Sequence, residues 1–172
     1  MPVDVSGWLK AFDGMLDKKE SLARRMGVSA GVVVRDEAKE NAPMGDAAKN
    51  GYSAAWKTGS TDPGALKEAI YLAYNEGQST PNKVVYSVSW NAKKAFWGVF
   101  IEFGFVMEHL VAMNKAGDFW TEKGKPKPGG ALRVDAKPFL APALDNNLQR
   151  IAQAALDRGK EEFPKLMQEI KK

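Results

Sequence analysis

The stretch FWGVFIEFGF, residues 96–105, decides how this chain is expected to fold. Seven of its ten residues are large and apolar, one is a carboxylate, Glu102, and Gly104 follows two positions later. Alternation sets Phe96, Gly98, Phe100 and Glu102 on one side and Trp97, Val99, Ile101 and Phe103 on the other. That predicts a strand with Glu102 near its end and an exit turn at Gly104. Just upstream, KVVYSVSW (83–90) alternates Val84, Tyr86, Val88 and Trp90 with Val85, Ser87 and Ser89, the pattern of a sheet with one buried face. A four-residue turn, NAKK (91–94), leads into the second run, so 83–90 and 96–105 are expected to pair as an antiparallel hairpin. Ile70, Leu72 and Tyr74 alternate with Tyr71, Ala73 and Asn75 and predict a further strand, with Leu66 and Ile70 opening either a short helix or that strand.

Helical spacing flanks these strands. Leu9, Phe12 and Leu16 recur at three and four residues within 6–25, and a break is expected near Gly27. A second helix is predicted over 28–41, with Ala30, Val33 or Val34, Glu37, Ala38 and Ala42 on one face and Arg35, Asp36, Lys39 and Glu40 outward. Pro43 should stop it, because the residue before a proline avoids the helical region. Toward the C-terminus, Pro142 suits the first turn of a helix in which Leu144, Leu148, Ile151 and Ala155 recur, with Gly159 and Pro164 expected to interrupt it. Phe163, Leu166, Met167 and Ile170 then make a last amphipathic segment. The expected fold is a single α+β domain, 1–172, in which N-terminal and C-terminal helices pack on one face of an antiparallel sheet.

Two irregular segments carry functional weight. The loop 43–64 holds four glycines and the turn signal Asn50-Gly51, and Asp62-Pro63 reads as the cap and first residue of a helix. Tyr52 and Trp56 lie inside that loop, where aromatic side chains either pin it to the body or meet a partner. The variable insert 105–137 reads as helix or strand in its first part and contains the flexible basic run KGKPKPGG. Six Lys or Arg and three Asp or Glu fall between Lys115 and Lys137, so this segment holds +3 of the chain's net +4.

Composition narrows the function classes. The 172 residues are 44% hydrophobic and 27% charged, values of a folded soluble chain. There is no cysteine, hence no disulfide framework and no thiolate chemistry. No apolar run approaches the ~20 residues of a membrane span, and MPVDVSGWLKAFDG, with acids among its apolar residues and no basic start, does not read as a signal peptide.

Catalytic motifs fare poorly. Gly27-Val28-Ser29-Ala30-Gly31 matches the G-x-S-x-G nucleophile elbow, but that device needs a buried strand before it and an acid and a His after it. The preceding SLARRM is no such strand, and the single histidine is His109. One His without Cys builds no usual zinc site. Glu102 and Glu108 are candidates for a carboxylate pair by position alone. No P-loop, dinucleotide fingerprint, HExxH or EF-hand pattern occurs. Basic groups beside Phe119 and Trp120 are a footprint of single-strand nucleic-acid binding, which makes Lys123, Lys125 and Lys127 the candidate DNA-facing residues.

Several short pieces stand in a particular order: Ala42-Pro43 ending a helix; Thr58-Gly59 with Leu66 and Ile70 after it; Ile101-Glu102-Phe103-Gly104; and Lys137-Pro138-Phe139-Leu140-Ala141-Pro142-Ala143-Leu144 opening the final helix. Over roughly residues 28–160 this order resembles a family of tailed-phage morphogenesis proteins, the neck or tail-completion proteins of the Hong-Kong-97 type. Departures are Phe105, where that family carries a small polar residue, the extra STDPGA before Leu66, and the long insert between Gly104 and Pro138. The resemblance implies a non-enzymatic protein without cofactor. It would form a homo-oligomeric ring at the head–tail junction of the virion, after assembly in the cytoplasm of a bacterial host. Its implied neighbours are a portal-side connector or head-closure protein and a tail terminator or tail tube, with non-specific DNA contact and no membrane. Glu102, Phe103, Phe105 and Phe139 become interface candidates beside Tyr52 and Trp56. The alternative is a nucleic-acid-binding module that uses the basic insert.

Overall fold

A computed structural model describes residues 6–44, 64–80, 82–113, 119–126 and 129–170. Most of the loop 43–64, with Asp62-Pro63, lies outside the described residues. The chain is α+β. A two-stranded antiparallel sheet packs against an N-terminal and a C-terminal helix. The elements are α1 (Ser6–Asn41), α2 (Ala65–Ala69), β1 (Ile70–Tyr74), β2 (Tyr86–Trp90), α3 (Gly98–Phe103), β3 (Phe105–Met107), β4 (His109–Met113), β5 (Phe119–Pro126), β6 (Leu132–Val134), α4 (Leu140–Asp145) and α5 (Leu148–Ile170). They divide into two compact units, one of Met1–Asp36, Leu72–Val88 and Leu144–Lys172, the other of Glu37–Tyr71 and Ser89–Ala143.

In the first unit, α1 does not break at Gly27. It runs 36 residues without interruption and carries both Gly27 and Gly31 inside it. The reason is close packing on the strands. A Cβ at Gly31 would stand 2.5 Å from Leu72 Cδ1, and one at Gly27 would stand 2.8 Å from the Tyr86 ring. These glycines cost helix propensity, about 1 kcal/mol each, and give the strand side chains room against the helix backbone. The Ser29 of the G-x-S-x-G match is therefore mid-helix, with no strand-to-helix turn on which a nucleophile could be raised.

The same unit is tied by polar contacts between α1 and the strands. The Tyr86 hydroxyl donates to Arg24 O at 3.2 Å, and Arg24 donates to the Tyr74 hydroxyl at 3.1 Å. The Arg24 guanidinium lies 4.3 Å over the Tyr74 ring, whose edge contact with Tyr86 has centroids 5.5 Å apart. Between β1 and β2 the Asn75 side chain caps a short 3₁₀ turn, Glu76–Gln78, and Asn75 N–H donates to Val85 O at 2.9 Å.

The long C-terminal helix α5 crosses both expected interruptions, Gly159 and Pro164. Met26 of α1 fills the space beside Gly159, 3.1 Å from where a Cβ would be. Glu162 and Leu166, two residues to either side of Pro164, are buried. Glu162 binds Arg25 of α1 and, on its own helix, Lys165 at 3.0 Å and Arg158 at 3.3 Å. Lys18 reaches Glu169 at 2.6 Å. The break falls earlier than expected, between α4 and α5, where Asn147 is buried and accepts from Arg150 at 2.7 Å. Leu144 and Leu148, expected on the core face, are exposed.

The second unit contains the largest correction. Residues 98–103 are not a strand but the helix α3, and β2 does not pair with them. β2 pairs with β1 instead, and Asn91 N–H donates to Ala69 O at 2.9 Å just beyond that pairing. Asn91 also folds the NAKK turn back on itself, accepting from Lys94 and Ala95 N–H through its carbonyl and from Lys93 N–H through its side chain. That turn leads into a helix because Ala95, fully buried, and Gly98 allow tight packing: a Cβ on Gly98 would lie 2.6 Å from Trp90 Nε1 and 3.0 Å from Leu66. The insert, whose first part reads as helix or strand, forms four strands in two antiparallel pairs among the described residues. β3 meets β6 with Val106 opposite Arg133, and β4 meets β5 through an irregularity between His109 and Val111.

Candidate functional site

The site is the joint between α3 and α4. Gly98 and Glu102, one helical turn apart, are the buried positions of α3, while Val99, Phe100 and Phe103 face outward. Glu102 is only 6% exposed. Its Oε2 accepts from Phe139 N–H at 2.7 Å and Leu140 N–H at 3.1 Å, and its Oε1 from Ala141 N–H at 3.2 Å. These are the donors that the first turn of α4 leaves without helical partners, and the fourth position is Pro142, which has no N–H. One carboxylate thus satisfies the whole start of α4. A carboxylate suits the task because both oxygens accept and the negative charge faces the positive end of a helix. Lys137 N–H donates to Ile101 O at 2.8 Å, a second tie at the same place.

Apolar packing locks the joint. Phe139 is fully buried, and its ring meets Trp90 edge-on with centroids 5.7 Å apart. Gly104 ends α3 with φ 68°, a conformation that costs glycine little, and releases the chain into β3. Beside it, Phe103, Gly104, Phe105, Val106, Arg133, Asp135 and Ala136 line a hollow of about 260 Å³.

The structure brings some of the sequence-selected residues together and not others. Glu102 and Phe139 are partners inside the joint. Phe103 stands at its surface, 73% exposed. Phe105 is half-buried on β3, its ring 5.1 Å from that of Phe100. Lys123 and Lys125 lie on β5, and Lys125 is exposed. Tyr52, Trp56 and Lys127 lie outside the described residues. Glu108 is exposed and His109 half-buried at the start of β4. Glu102, expected to bond loop backbone or a neighbouring protomer, bonds backbone; that the donors are those of residues 139–141, and that α3 turns an apolar stripe outward, was not read from the sequence. The four-residue spacing of Gly98 and Glu102 was the available signal for both.

Among the described residues no group of three or more His, Asp or Glu is placed to hold a metal ion, and no helix is long and apolar enough to cross a membrane. Comparison with protein-family models, with curated proteins and with solved structures finds no match for this chain.

Proposed function

We propose that this chain is a non-enzymatic assembly protein of a tailed-phage virion, acting in head–tail joining or tail completion and working as a ring at the neck. The observation that carries this reading is the Glu102 clamp. Two of the short pieces on which the resemblance rests, Ile101–Gly104 and Lys137–Leu144, lie far apart in the chain yet form one joint through Glu102 and the N–H groups of Phe139, Leu140 and Ala141. Residues that resemble a family signature here have a mechanical task, the rigid coupling of two helices. A scaffold that must transmit force between neighbours needs such a joint, with an apolar surface beside it for docking. Phe103 and Val106 supply that surface, at 73% and 55% exposed. The neighbours in this reading are a portal-side connector or head-closure protein and a tail terminator or tail tube.

Deletion of the gene from the phage or prophage that carries it tests the proposal. The expected result is full heads and separate tails by electron microscopy, with the protein recovered in wild-type particles. Heads joined to normal tails in its absence would overturn it.

A further inference from the structure

We infer that this chain associates with a second copy of itself through the outward face of α5, the stripe of Leu148, Ala152, Leu156 and Phe163 on each copy lying antiparallel to that of the other. The inference uses none of the surface assigned to neighbours above and does not depend on the assembly reading.

The four residues share one side of a single helix. At about 100° per residue they fall within about 80° of one another around its axis. All four are exposed, Leu148 by 61%, Leu156 by 53% and Phe163 by 47%. α5 turns a different face to α1. That face carries Glu162, bound to Arg25, and Glu169, bound to Lys18, and its border is made by buried Leu166 and by Gly159 against Met26. The helix therefore has two adjoining apolar faces, and α1 covers only one of them. The opposite side of an amphipathic helix is normally polar and charged. Here every charged residue of α5, from Arg150 to Glu169, lies outside the outward arc. From Leu148 to Phe163 the stripe is free of charge over about 22 Å of helix.

Charge and area select the occupant. A stripe without cations gives a phosphate backbone or an acidic segment nothing to bind. Its occupant is apolar, uncharged and straight over the same length, and α5 of a second copy is such a surface. The large side chains stand eight and seven residues to either side of Leu156. A two-fold axis through Leu156 sets Leu148 of each copy against Phe163 of the other and Leu156 against its own counterpart. The stripe is then self-complementary, as an isologous interface requires. It exposes on the order of 350 Å² of apolar surface, comparable to the largest patch of a typical monomer. Homodimer interfaces are about 65% apolar, so this implies roughly 550 Å² per partner. The total of about 1,100 Å² just clears the ~1,000 Å² of a specific contact, in the range of weak and reversible association.

The chain has no cysteine, which makes single reporters clean. Full-length Leu156→Cys, opposite itself on the axis, should give a disulfide-linked dimer under mild oxidation. Glu76→Cys, exposed in the turn between β1 and β2, should not. Sedimentation equilibrium of the unmodified chain should show a reversible dimer dissociating at about 10–300 μM, as expected of so small an interface. Leu156→Asp and Phe163→Asp should each weaken it at least tenfold with unchanged circular dichroism spectra, and Val106→Asp should leave it unaltered. Because the stripe carries no charge, raising the salt from 0.05 to 0.5 M should not dissociate the dimer. A chain that stays monomeric at about 1 mM overturns the inference. So does a dimer indifferent to Leu156→Asp, one that salt dissociates, or cross-linking at Glu76→Cys as strong as at Leu156→Cys.

Discussion

Replacement of Glu102 by alanine tests the joint most directly. The substitution removes three hydrogen bonds to a charged acceptor, at 2.7, 3.1 and 3.2 Å, from a place 6% exposed. Each such bond contributes about 1.5–3 kcal/mol in isolation, and each buried donor left unpaired costs about 1–3 kcal/mol. The three are lost together, and the variant no longer desolvates a carboxylate, so the terms do not simply add. A loss of about 3–5 kcal/mol is expected, the range for breaking a buried charged contact. For a chain of this length that lowers the melting temperature by roughly 6–20 °C. Glu102→Gln is the informative companion. Its carbonyl can still serve Phe139 and Leu140, while its amide would point a donor at the Ala141 N–H, so an intermediate loss of about 1–3 kcal/mol follows. Urea unfolding followed by tryptophan fluorescence gives the stabilities. Amide exchange at residues 139–141 gives the local effect, about tenfold faster per 1.4 kcal/mol of lost local protection. If Glu102→Ala unfolds within about 0.5 kcal/mol of the parent, the ordinary range of surface substitutions, the clamp is not holding α4. If glutamine is worse than alanine, the acceptor argument is wrong.

Three further outcomes follow from the packing and electrostatics. Gly31→Ala should destabilise by about 1–2 kcal/mol, because the strain of a Cβ 2.5 Å from Leu72 Cδ1 outweighs the gain in helix propensity, and Leu72→Val should recover part of the loss in chemical denaturation. Pro164→Ala should stabilise by about 2–3 kcal/mol, since an exposed proline inside α5 removes one helical hydrogen bond and crowds the carbonyl of Lys160; an unchanged melting temperature would show that the proline is accommodated without cost. Glu162 is held below its ordinary value of 4.5 by hydrogen bonds from Lys165 and then Arg25, with attraction from Arg158. Its folded pKa lies below the unfolded one, so its contribution is present above about pH 4.5 and fades as the pH falls further. Stability measured from pH 6 to 3 should drop more steeply in the parent than in Glu162→Gln, and parallel curves would remove Glu162 from the acid response.

The elements legible in the sequence were those whose period is long or whose alternation has one buried face. β1, β2 and the bracketing helices belong to this group. Glycine and proline misled where tertiary contacts overrode their local preference. Gly27 and Gly159 sit inside helices because neighbouring side chains occupy the space of their absent Cβ atoms, and that fact is written in Tyr86 and Met26, not in the glycines. Residues 96–105 misled for a different reason. When nearly every position is apolar, alternation carries no information, and a short buried helix and a buried strand look alike. The first part of the insert reads as helix or strand because its strands are short, pair with each other among the described residues, and keep an irregular register at His109 and Val111.

Glu102 was first singled out as an acid on an apolar strand, and its geometry weighs on what such an acid could do. A general acid must hold a proton that it can give away. A proton on either oxygen would turn an acceptor into a donor facing the N–H groups of Phe139, Leu140 or Ala141. A general base must offer a lone pair to an incoming group, and here both oxygens are already engaged at a site almost closed to solvent. Proton transfer at Glu102 would therefore loosen the start of α4 at every turnover, coupling chemistry to the loss of the contact that positions it. The contact geometry is that of a structural carboxylate committed to the start of α4. With its polar residue committed inward, α3 has only Val99, Phe100 and Phe103 left to present, so the clamp and the outward apolar stripe follow from one four-residue spacing.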